Sequence, residues 1–411
     1  MRILVDFSIF RRNPNFTLLY IGQFASFMGT MITSVALPFQ IYSITHSTLM
    51  VGLLSLVQLL PLLFTALIGG VFADRYHRRF LLLISELILT VGSLMLAWNA
   101  HLAQPSIVMI FLLAAFMSAF TGLHRPALDS IVQQIVAKKD FPTVSAIGTF
   151  KVSFAMIAGP ALGGLLIAHY GIVTAFLADV LGFFVSLSAL LMMRHIPKPQ
   201  NIVDESTLKS LKKGFKYAFS RQELVGSYSV DFIAMIFGMP NALFPAIAQS
   251  FGGPQVLGLL YSAPAVGMLI ASFFSGSAHV VKYHGRAIAI SAMLWGVSII
   301  LFGLSTNLTV ALIFLGFAGG FDAISGIYRS IMWNETIPNE LRGRLAGIEM
   351  ISYLSGPRLG DTEAGLVAAA FGVTTSIVSG GVLCVSGIAV CCYFLPKYWS
   401  YHADTSVQFK V

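Results

Sequence analysis

The residues best able to do chemistry in this sequence are charged side chains that lie inside long apolar stretches. A charge at the centre of a bilayer costs at least roughly 2.5 kcal/mol, so each one needs a partner, a wet cavity or a task. Carboxylates in such places can carry protons, and Lys or Arg can bind the oxygens of an anionic solute. The candidates are Glu86, Arg125, Lys151, Asp179, Asp231, Asp322, Arg329, Glu349, Arg358, Asp361 and Glu363.

The stretches that must position these charges have the composition of a membrane protein. Of the 411 residues, 56% are hydrophobic and 10% are charged, whereas soluble domains carry about 25% charged residues. Apolar runs long enough to cross a bilayer recur without the alternation of a β-barrel, which predicts an all-α membrane protein of twelve helices. The predicted spans are 16–44, 49–73, 80–101, 106–128, 143–168, 173–194, 222–250, 256–280, 286–305, 308–333, 344–371 and 374–396.

The basic residues predict how these spans are threaded. Lys and Arg collect in alternate loops, as expected of cytoplasmic loops, while the six opposite loops contain neither. Both termini are therefore expected in the cytoplasm, and no cleaved signal peptide is expected at the start. Topology explains the net charge of +8 better than a nucleic-acid partner does. The three cysteines share the last span without metal-ligand spacing, so we expect no disulfide, metal site or cofactor.

An internal repeat indicates two related halves, because three pairs of segments match in the same order. The pairs are 51–63 with 256–269, 131–146 with 331–346, and Gly159-Pro160-Ala-Leu-Gly163 with Gly356-Pro357-Arg-Leu-Gly360. We predict two six-helix bundles, the second ending in a short cytoplasmic tail, joined by an amphipathic helix on the cytoplasmic surface. Their bounds are 1–195 and 222–411 for the bundles and 196–221 for the linker.

Three motifs resemble those of a known family. The loop Gly70-Val-Phe-Ala-Asp74-Arg75-Tyr-His-Arg78-Arg79 resembles the signature loop of the major facilitator superfamily. Gly159-Pro160-Ala-Leu-Gly163-Gly164 is similar to the G-P-x-x-G-G motif of its proton-coupled exporters, although the upstream glycines are replaced. Residues 337–344 resemble the P-x-E-x-R-G-R stretch of one branch. Across most of the chain, the resemblance is closest to the enterobactin (siderophore) exporter subgroup.

The resemblance implies two bundles that rock about a central cavity lined by spans one, four, seven and ten. It assigns a lock on the cytoplasmic side to the signature loop, with Asp129 as an acidic partner, although Arg78 and Arg79 are explained equally well as topology signals. The gating residues would be Gly70, Asp74, Arg75, Arg78, Arg79 and Asp129. Close helix packing is assigned to small residues and prolines, namely Gly159, Pro160, Gly163, Gly164, Gly356 and Pro357.

The implied cavity singles out candidates for binding and coupling. Asp231 and Asp322 are the expected proton carriers, unless each pairs permanently with a basic neighbour. Arg329, two turns after Asp322, and Lys151 could bind an anionic solute, whereas Arg125 is expected to pair with Asp129.

Two further groups of residues stay open at this point. Arg358, Asp361 and Glu363 form either an ion-pair network or a second substrate or proton site. Gln23 and Thr30 either contact the solute or pack helices. Glu86 and Asp179 fall on spans three and six, which usually lie outside the cavity, so no transport role is expected of them.

The resemblance thus implies a monomeric secondary transporter in the bacterial inner membrane. Its expected action is export of an anionic siderophore or related metabolite by proton antiport. A multidrug or macrolide antiporter and a siderophore importer of the same fold are the alternatives. An enzyme is not expected, and a receptor or an inert scaffold is a remoter alternative.

Overall fold

The computed structural model describes residues 7–194, 216–273 and 281–402. These residues are almost entirely helical, because a chain in lipid must satisfy its backbone hydrogen bonds within each span. The helices of the first half are α1 (Ile9–Arg12), α2 (Pro14–Thr45), α3 (Thr48–Arg75), α4 (Arg78–His101), α5 (Ile107–Ile135), α6 (Phe141–Tyr170) and α7 (Ile172–Met192). Those of the second are α8 (Gln222–Phe237), α9 (Phe244–Phe251), α10 (Pro254–Phe273), α11 (His284–Gly303), α12 (Leu308–Thr336), α13 (Asn339–Phe371), α14 (Val373–Phe394) and α15 (Pro396–Trp399).

The all-α membrane fold predicted from the sequence is confirmed. In the described part of the chain, 11 helical segments are long and apolar enough to cross a membrane. The remaining predicted span, 344–371, coincides with α13, which has 33 residues but carries Arg358, Asp361 and Glu363 along its length. By its length α13 is the twelfth long helix. Because of its charged residues, it does not belong to the segments that are apolar enough to cross a membrane.

One predicted span differs in shape. Residues 222–250 were expected to form one helix, but α8 ends at Phe237, and a short 3-10 helix, Asn241–Leu243, precedes α9. Pro240 lies in this break. Since a proline lacks the backbone N–H that a helix interior needs and clashes with the preceding turn, it accounts for the interruption. Hydropathy is blind to such a break because both sides of it are apolar.

The described residues belong to two compact units. The first draws on Met1–Val203 and Phe244–Ser262, and the second on Asp204–Leu243 and Ala263–Val411. In the first unit α2 packs against α6 and α7, while α3 and α4 pack against α5. In the second, α8 packs against α13 and α14, and α11 against α12 and α14. The predicted boundaries at 195 and 222 stay predictions, and most of the predicted linker helix lies outside the described residues.

The repeated glycine motif occupies equivalent places in the two units. Gly159 and Gly163 of α6 lie against α2, and Gly356 and Gly360 of α13 lie against α8. Each motif thus lets the fifth helix of its half approach the first closely, as small residues do in membrane helices. The adjoining Pro160 and Pro357 both lie inside their helices.

The next glycine of the first motif makes a different contact. A Cβ atom on Gly164 would lie 2.5 Å from the carbonyl oxygen of Pro254 and 2.9 Å from the backbone nitrogen of Gly258, on α10. This part of α10 belongs to the first unit. Ser262, also on α10, donates a hydrogen bond to the Ile157 carbonyl at 2.7 Å.

The end of α15 makes a testable packing contact. Tyr398 is fully buried, its ring lies against Gly226 of α8, and burial raises the pKa of its hydroxyl well above the usual value. Within the described ranges this hydroxyl has no hydrogen-bond partner. An unpaired buried polar group destabilises a protein by about 1–3 kcal/mol.

We expect Tyr398→Phe to raise the melting temperature of the purified protein, because it removes the unpaired hydroxyl and keeps the ring. Tyr217→Phe is the matched control, and it should change the stability in the opposite direction. The Tyr217 hydroxyl donates to the Thr336 carbonyl at 2.8 Å, so its removal should lower stability by about 1 kcal/mol. Equal losses in both variants would show that the Tyr398 hydroxyl does have a partner.

Candidate functional site

Three predicted residues come together in the second unit. Asp231 lies on α8, and Asp322 and Arg329 lie on α12. Because Asp322 and Arg329 are two turns apart, they share one face of their helix. The guanidinium forms an ion pair with Asp231 through Nη1, while its Nη2 lies 3.9 Å from Asp322 Oδ1. We call these three residues the carboxylate–arginine cluster.

The surroundings of the cluster are tight on one side and open on the other. The side chain of Asp231 is 11% exposed and that of Asp322 is 28% exposed. Gly326, between the two α12 members of the cluster, leaves space beside the guanidinium, since a Cβ atom there would lie 3.7 Å from Nη2 of Arg329. The Nε atom of Arg329 is buried without a hydrogen-bond partner in the described residues.

A second bond joins the same two helices. The indole nitrogen of Trp333 on α12 donates to the hydroxyl of Tyr228 on α8 at 3.2 Å. It lies about one turn along each helix from the Asp231–Arg329 pair. Neither Tyr228 nor Trp333 was predicted from the sequence to have a role. Their aromatic rings in apolar spans resemble ordinary core residues, and only the packing of α8 on α12 shows that they meet.

The charge balance of the cluster allows it to bind and release a proton. One guanidinium faces two carboxyl groups, so the cluster has a net charge of −1 when all three groups are ionised. A bound proton makes it neutral, and neutral clusters are cheaper to keep away from water. The arrangement can therefore exchange one proton, or bind a cation, without losing the Arg329 ion pair.

The predicted charges on α13 lie elsewhere in this unit. Asp361 accepts a hydrogen bond from the backbone nitrogen of Ala242 at 3.0 Å and so holds the 3-10 helix Asn241–Leu243 beside α13. Arg358, one turn earlier, is half-buried, and its Nε has no hydrogen-bond partner among the described residues. Asp361 thus has a structural contact at the break after α8, and its proposed coupling role stays a prediction.

The remaining binding candidates lie in the first unit. Lys151 is half-buried on α6, and Arg125 pairs with Asp129 at 3.5 Å on the exposed side of α5, as the i, i+4 spacing predicts. Thr30 donates to the carbonyl of Ser26 on its own helix at 3.0 Å. Gln23 is buried and faces α4 and α7, so its amide already has partners inside the bundle. Solute contacts for Gln23, Thr30 and Lys151 stay predictions.

The described arginines of the signature loop bind the ends of neighbouring helices. Arg78 donates to the carbonyl of Ser130 at 3.2 Å, near the end of α5, and Arg79 donates to that of Leu191 at 2.8 Å, near the end of α7. Leu191 lies in the last turn of α7, where cations are favoured because the last carbonyls of a helix lack intrahelical donors. Gly70, Asp74 and Arg75 have helical backbone, but their side chains lie outside the described part.

The second unit has a similar contact between an arginine and the end of a helix. Arg342, in the motif at residues 337–344, donates to the carbonyl of Asn334 at 3.1 Å, near the end of α12. Arg342 lies in the first turn of α13 and binds the preceding long helix, α12, whereas Arg78 at the start of α4 binds the following helix, α5. The contact with Asp129 that the sequence analysis expected is not among these bonds, and that lock stays a prediction.

Two of the most buried carboxylates in the described part of the chain were expected to have no transport role. Glu86 on α4 is fully buried, and Asp179 on α7 is 1% exposed. Glu86 lies 3.0 Å from the Nε2 atom of His124 on α5. A histidine inside an apolar span was a signal that could have drawn attention to this pair. The described residues include no cluster of His, Cys, Asp and Glu that could hold a metal ion, and the three cysteines are free thiols.

Comparisons with known proteins place this geometry in a family. A family model described as transmembrane secretion effector, of the major facilitator type, matches residues 6–410. The enterobactin exporter EntS of Escherichia coli O1:K1 / APEC is 28% identical over 388 residues, covering 94% of this chain and 93% of the relative. Its counterpart in Shigella flexneri is 27% identical over 387 residues, with the same coverage.

Solved transporter structures share the fold. A POT family transporter in complex with 5-aminolevulinic acid aligns with a TM-score of 0.75 at 13% identity, covering 94% of this chain and 97% of the other. A bacterial homolog of the human lysosomal transporter Spinster gives 0.72 at 15% identity, with 95% and 98% covered. The chain is not an enzyme but a multi-pass membrane protein. It belongs to the transmembrane secretion effector family of the major facilitator superfamily, whose members are secondary transporters.

Proposed function

We propose that this transporter exports an anionic siderophore or a related metabolite across the bacterial inner membrane in exchange for protons. Alternating access, in which the binding site opens to one side of the membrane at a time, is the proposed mode of action. The similarity to exporters of enterobactin across 94% of the chain supports the solute class. The proposed topology has both termini in the cytoplasm, supported by the alternation of basic loops.

The observation that carries the proton exchange is the carboxylate–arginine cluster. Asp231, Asp322 and Arg329 hold one more carboxyl group than the guanidinium can neutralise. Protonation balances the charge, and release of that proton leaves a net negative cluster. An antiporter needs this alternation, because the proton and the solute must not occupy the protein in the same step. We therefore assign proton binding to Asp231 and Asp322.

The proposed solute binding uses the cations of the spans. Arg329 is the first candidate, since its fork of donors suits the oxygens of a catecholate or a carboxylate. Arg358 and Lys151 are further candidates, both half-buried in long helices. Asp361 remains a second candidate for proton binding. The transporter is proposed to act as a monomer, without a cofactor.

The test measures solute accumulation in everted membrane vesicles with an acid interior. One-for-one exchange against a gradient of about one pH unit supports accumulation of enterobactin by up to about tenfold. We expect this accumulation to collapse when a protonophore is added. Accumulation of a lipophilic cation instead of enterobactin would favour the multidrug alternative. Accumulation that is indifferent to the protonophore would contradict proton exchange.

A further inference from the structure

A buried carboxylate in the first unit has an unusual set of partners. The Glu86 atom Oε1 accepts hydrogen bonds from Gln23 Nε2 at 2.7 Å and from Ser186 Oγ at 2.8 Å. The ring nitrogen Nε2 of His124 lies 3.0 Å from the same oxygen. Ser26 approaches both carboxylate oxygens more loosely, at 3.4 and 3.5 Å. Four helices, α2, α4, α5 and α7, thus converge on one carboxylate.

These partners define the charge state that the site can hold. An amide N–H and a hydroxyl donate to Oε1, and an ionised carboxylate accepts from all its partners. With a neutral imidazole, Glu86 and His124 together carry a charge of −1 inside the bundle. One added proton makes an imidazolium–carboxylate pair of zero net charge. Burial favours the neutral combination, because an uncompensated charge is costly away from water.

The neighbouring carboxylate, Asp179, shows that a carboxylate can be buried in this bundle without a basic partner. Asp179 Oδ2 accepts hydrogen bonds from Thr33 at 2.8 Å and from Ser93 at 2.7 Å. These partners are hydroxyls and do not titrate near neutral pH. Glu86 has hydroxyl and amide partners as well, so His124 adds a capacity that holding a carboxylate does not need. Two ionisable side chains lie near Glu86: Asp179 on α7 and His124 on α5.

The position of His124 gives a proton a way to the pair. Its side chain is 15% exposed, whereas that of Glu86 is not exposed at all. A hydronium ion can therefore give its proton to the ring nitrogen that does not face Glu86 and leave as water, while Nε2–H continues to donate to Oε1. Release reverses this transfer. Pro126 follows in α5 and removes one backbone hydrogen bond of the helix beside the site.

We propose that Glu86 and His124 form a proton-binding site of their own in the first unit, in addition to the carboxylate–arginine cluster of the second. The ligand is a proton, held on the imidazole and balanced by the carboxylate. Because it rests on the proposed proton exchange, the site would let the transporter take up a second proton in each cycle. Gln23 and Ser186 act as positioning residues that keep Oε1 directed at the ring.

The experiment measures proton binding directly, without a solute. Infrared difference spectra of the purified transporter are recorded between about pH 5 and about pH 8, the range in which histidine titrates. The chain has nine histidines, and among their bands we expect one imidazole component that disappears in His124→Gln and shifts in Glu86→Gln. A dye titration over the same range should find about one proton fewer per His124→Gln protein. His124→Asn provides a second variant where His124→Gln fails to fold.

Two controls separate this site from its surroundings. Asp179→Asn removes a buried carboxyl without a basic partner and should leave the imidazole signal unchanged, as should Asp231→Asn in the other unit. The proposal is overturned if neither His124 variant loses an imidazole component, or if the lost component does not respond to Glu86→Gln. Absence of gradient-driven accumulation in the unmodified protein would instead contradict the proposed function, and the spectra alone decide the proton site.

Discussion

Loss of proton-driven export is the expected result of replacing Asp231 or Asp322 by Asn. The amide keeps the shape of the carboxyl group but cannot bind and release the proton. We expect the gradient-driven rate in everted vesicles to fall by about two orders of magnitude or more, the scale of effect for a lost proton-transfer group. Unchanged proton-driven transport in both variants would eliminate them as carriers.

The two variants should differ in stability. Asp231 is paired directly with Arg329 and is the less exposed of the two, whereas Asp322 lies 3.9 Å away. Asp231→Asn leaves Arg329 only the more distant carboxylate of Asp322, whereas Asp322→Asn keeps the direct pair. Complete loss of a partner costs about 3–5 kcal/mol in well-buried pairs, which sets the upper limit here. We therefore expect lower amounts of Asp231→Asn in the membrane than of Asp322→Asn.

A double variant separates folding from coupling. Asp231→Asn combined with Arg329→Gln removes both charges of the pair and leaves Asp322, whose side chain is 28% exposed, as the charged member of the cluster. This variant should restore the amount of protein without restoring proton-driven export. Asp140→Asn is the matched carboxyl control, since Asp140 pairs loosely with Arg12 at 3.8 Å outside the long helices. Export that returns in the double variant would show that Asp231 serves only to neutralise Arg329.

The sequence predicted the helices and motifs because their signals are local. Long apolar runs fix the spans, and the two-turn spacing of Asp322 and Arg329 fixes their shared face. The sequence left it undecided whether Arg329 pairs with Asp231, since the two residues lie on helices far apart in the chain. The break at Pro240 was missed because hydropathy does not register it. Glu86 was given no transport role because it lies on span three. Its partners lie on three other helices, and only the structure shows that they contact it.

Packing of the repeated glycine motif gives the second large expected effect. A Cβ atom on Gly360 would meet the backbone of α8, namely the carbonyl oxygen of Met235 and, at 2.9 Å, that of Ile236. On Gly163 it would lie 3.2 Å from the Ile32 carbonyl oxygen and 3.3 Å from its Cα. Backbone atoms cannot move aside as a flexible side chain can. At this second glycine of the motif, the packing is therefore tighter in the second unit than in the first.

We expect Gly360→Ala to destabilise the transporter by about 3 kcal/mol and Gly163→Ala by about 1 kcal/mol, the range found when a packed interface is overfilled. Melting of the detergent-purified protein measures both. Gly148→Ala, on the same helix as Gly163, is the control. Nothing lies within 4 Å of its added methyl group, and alanine favours a helix over glycine by about 0.5–1 kcal/mol. If Gly163→Ala costs as much as Gly360→Ala, the two motifs are packed alike and the asymmetry is wrong.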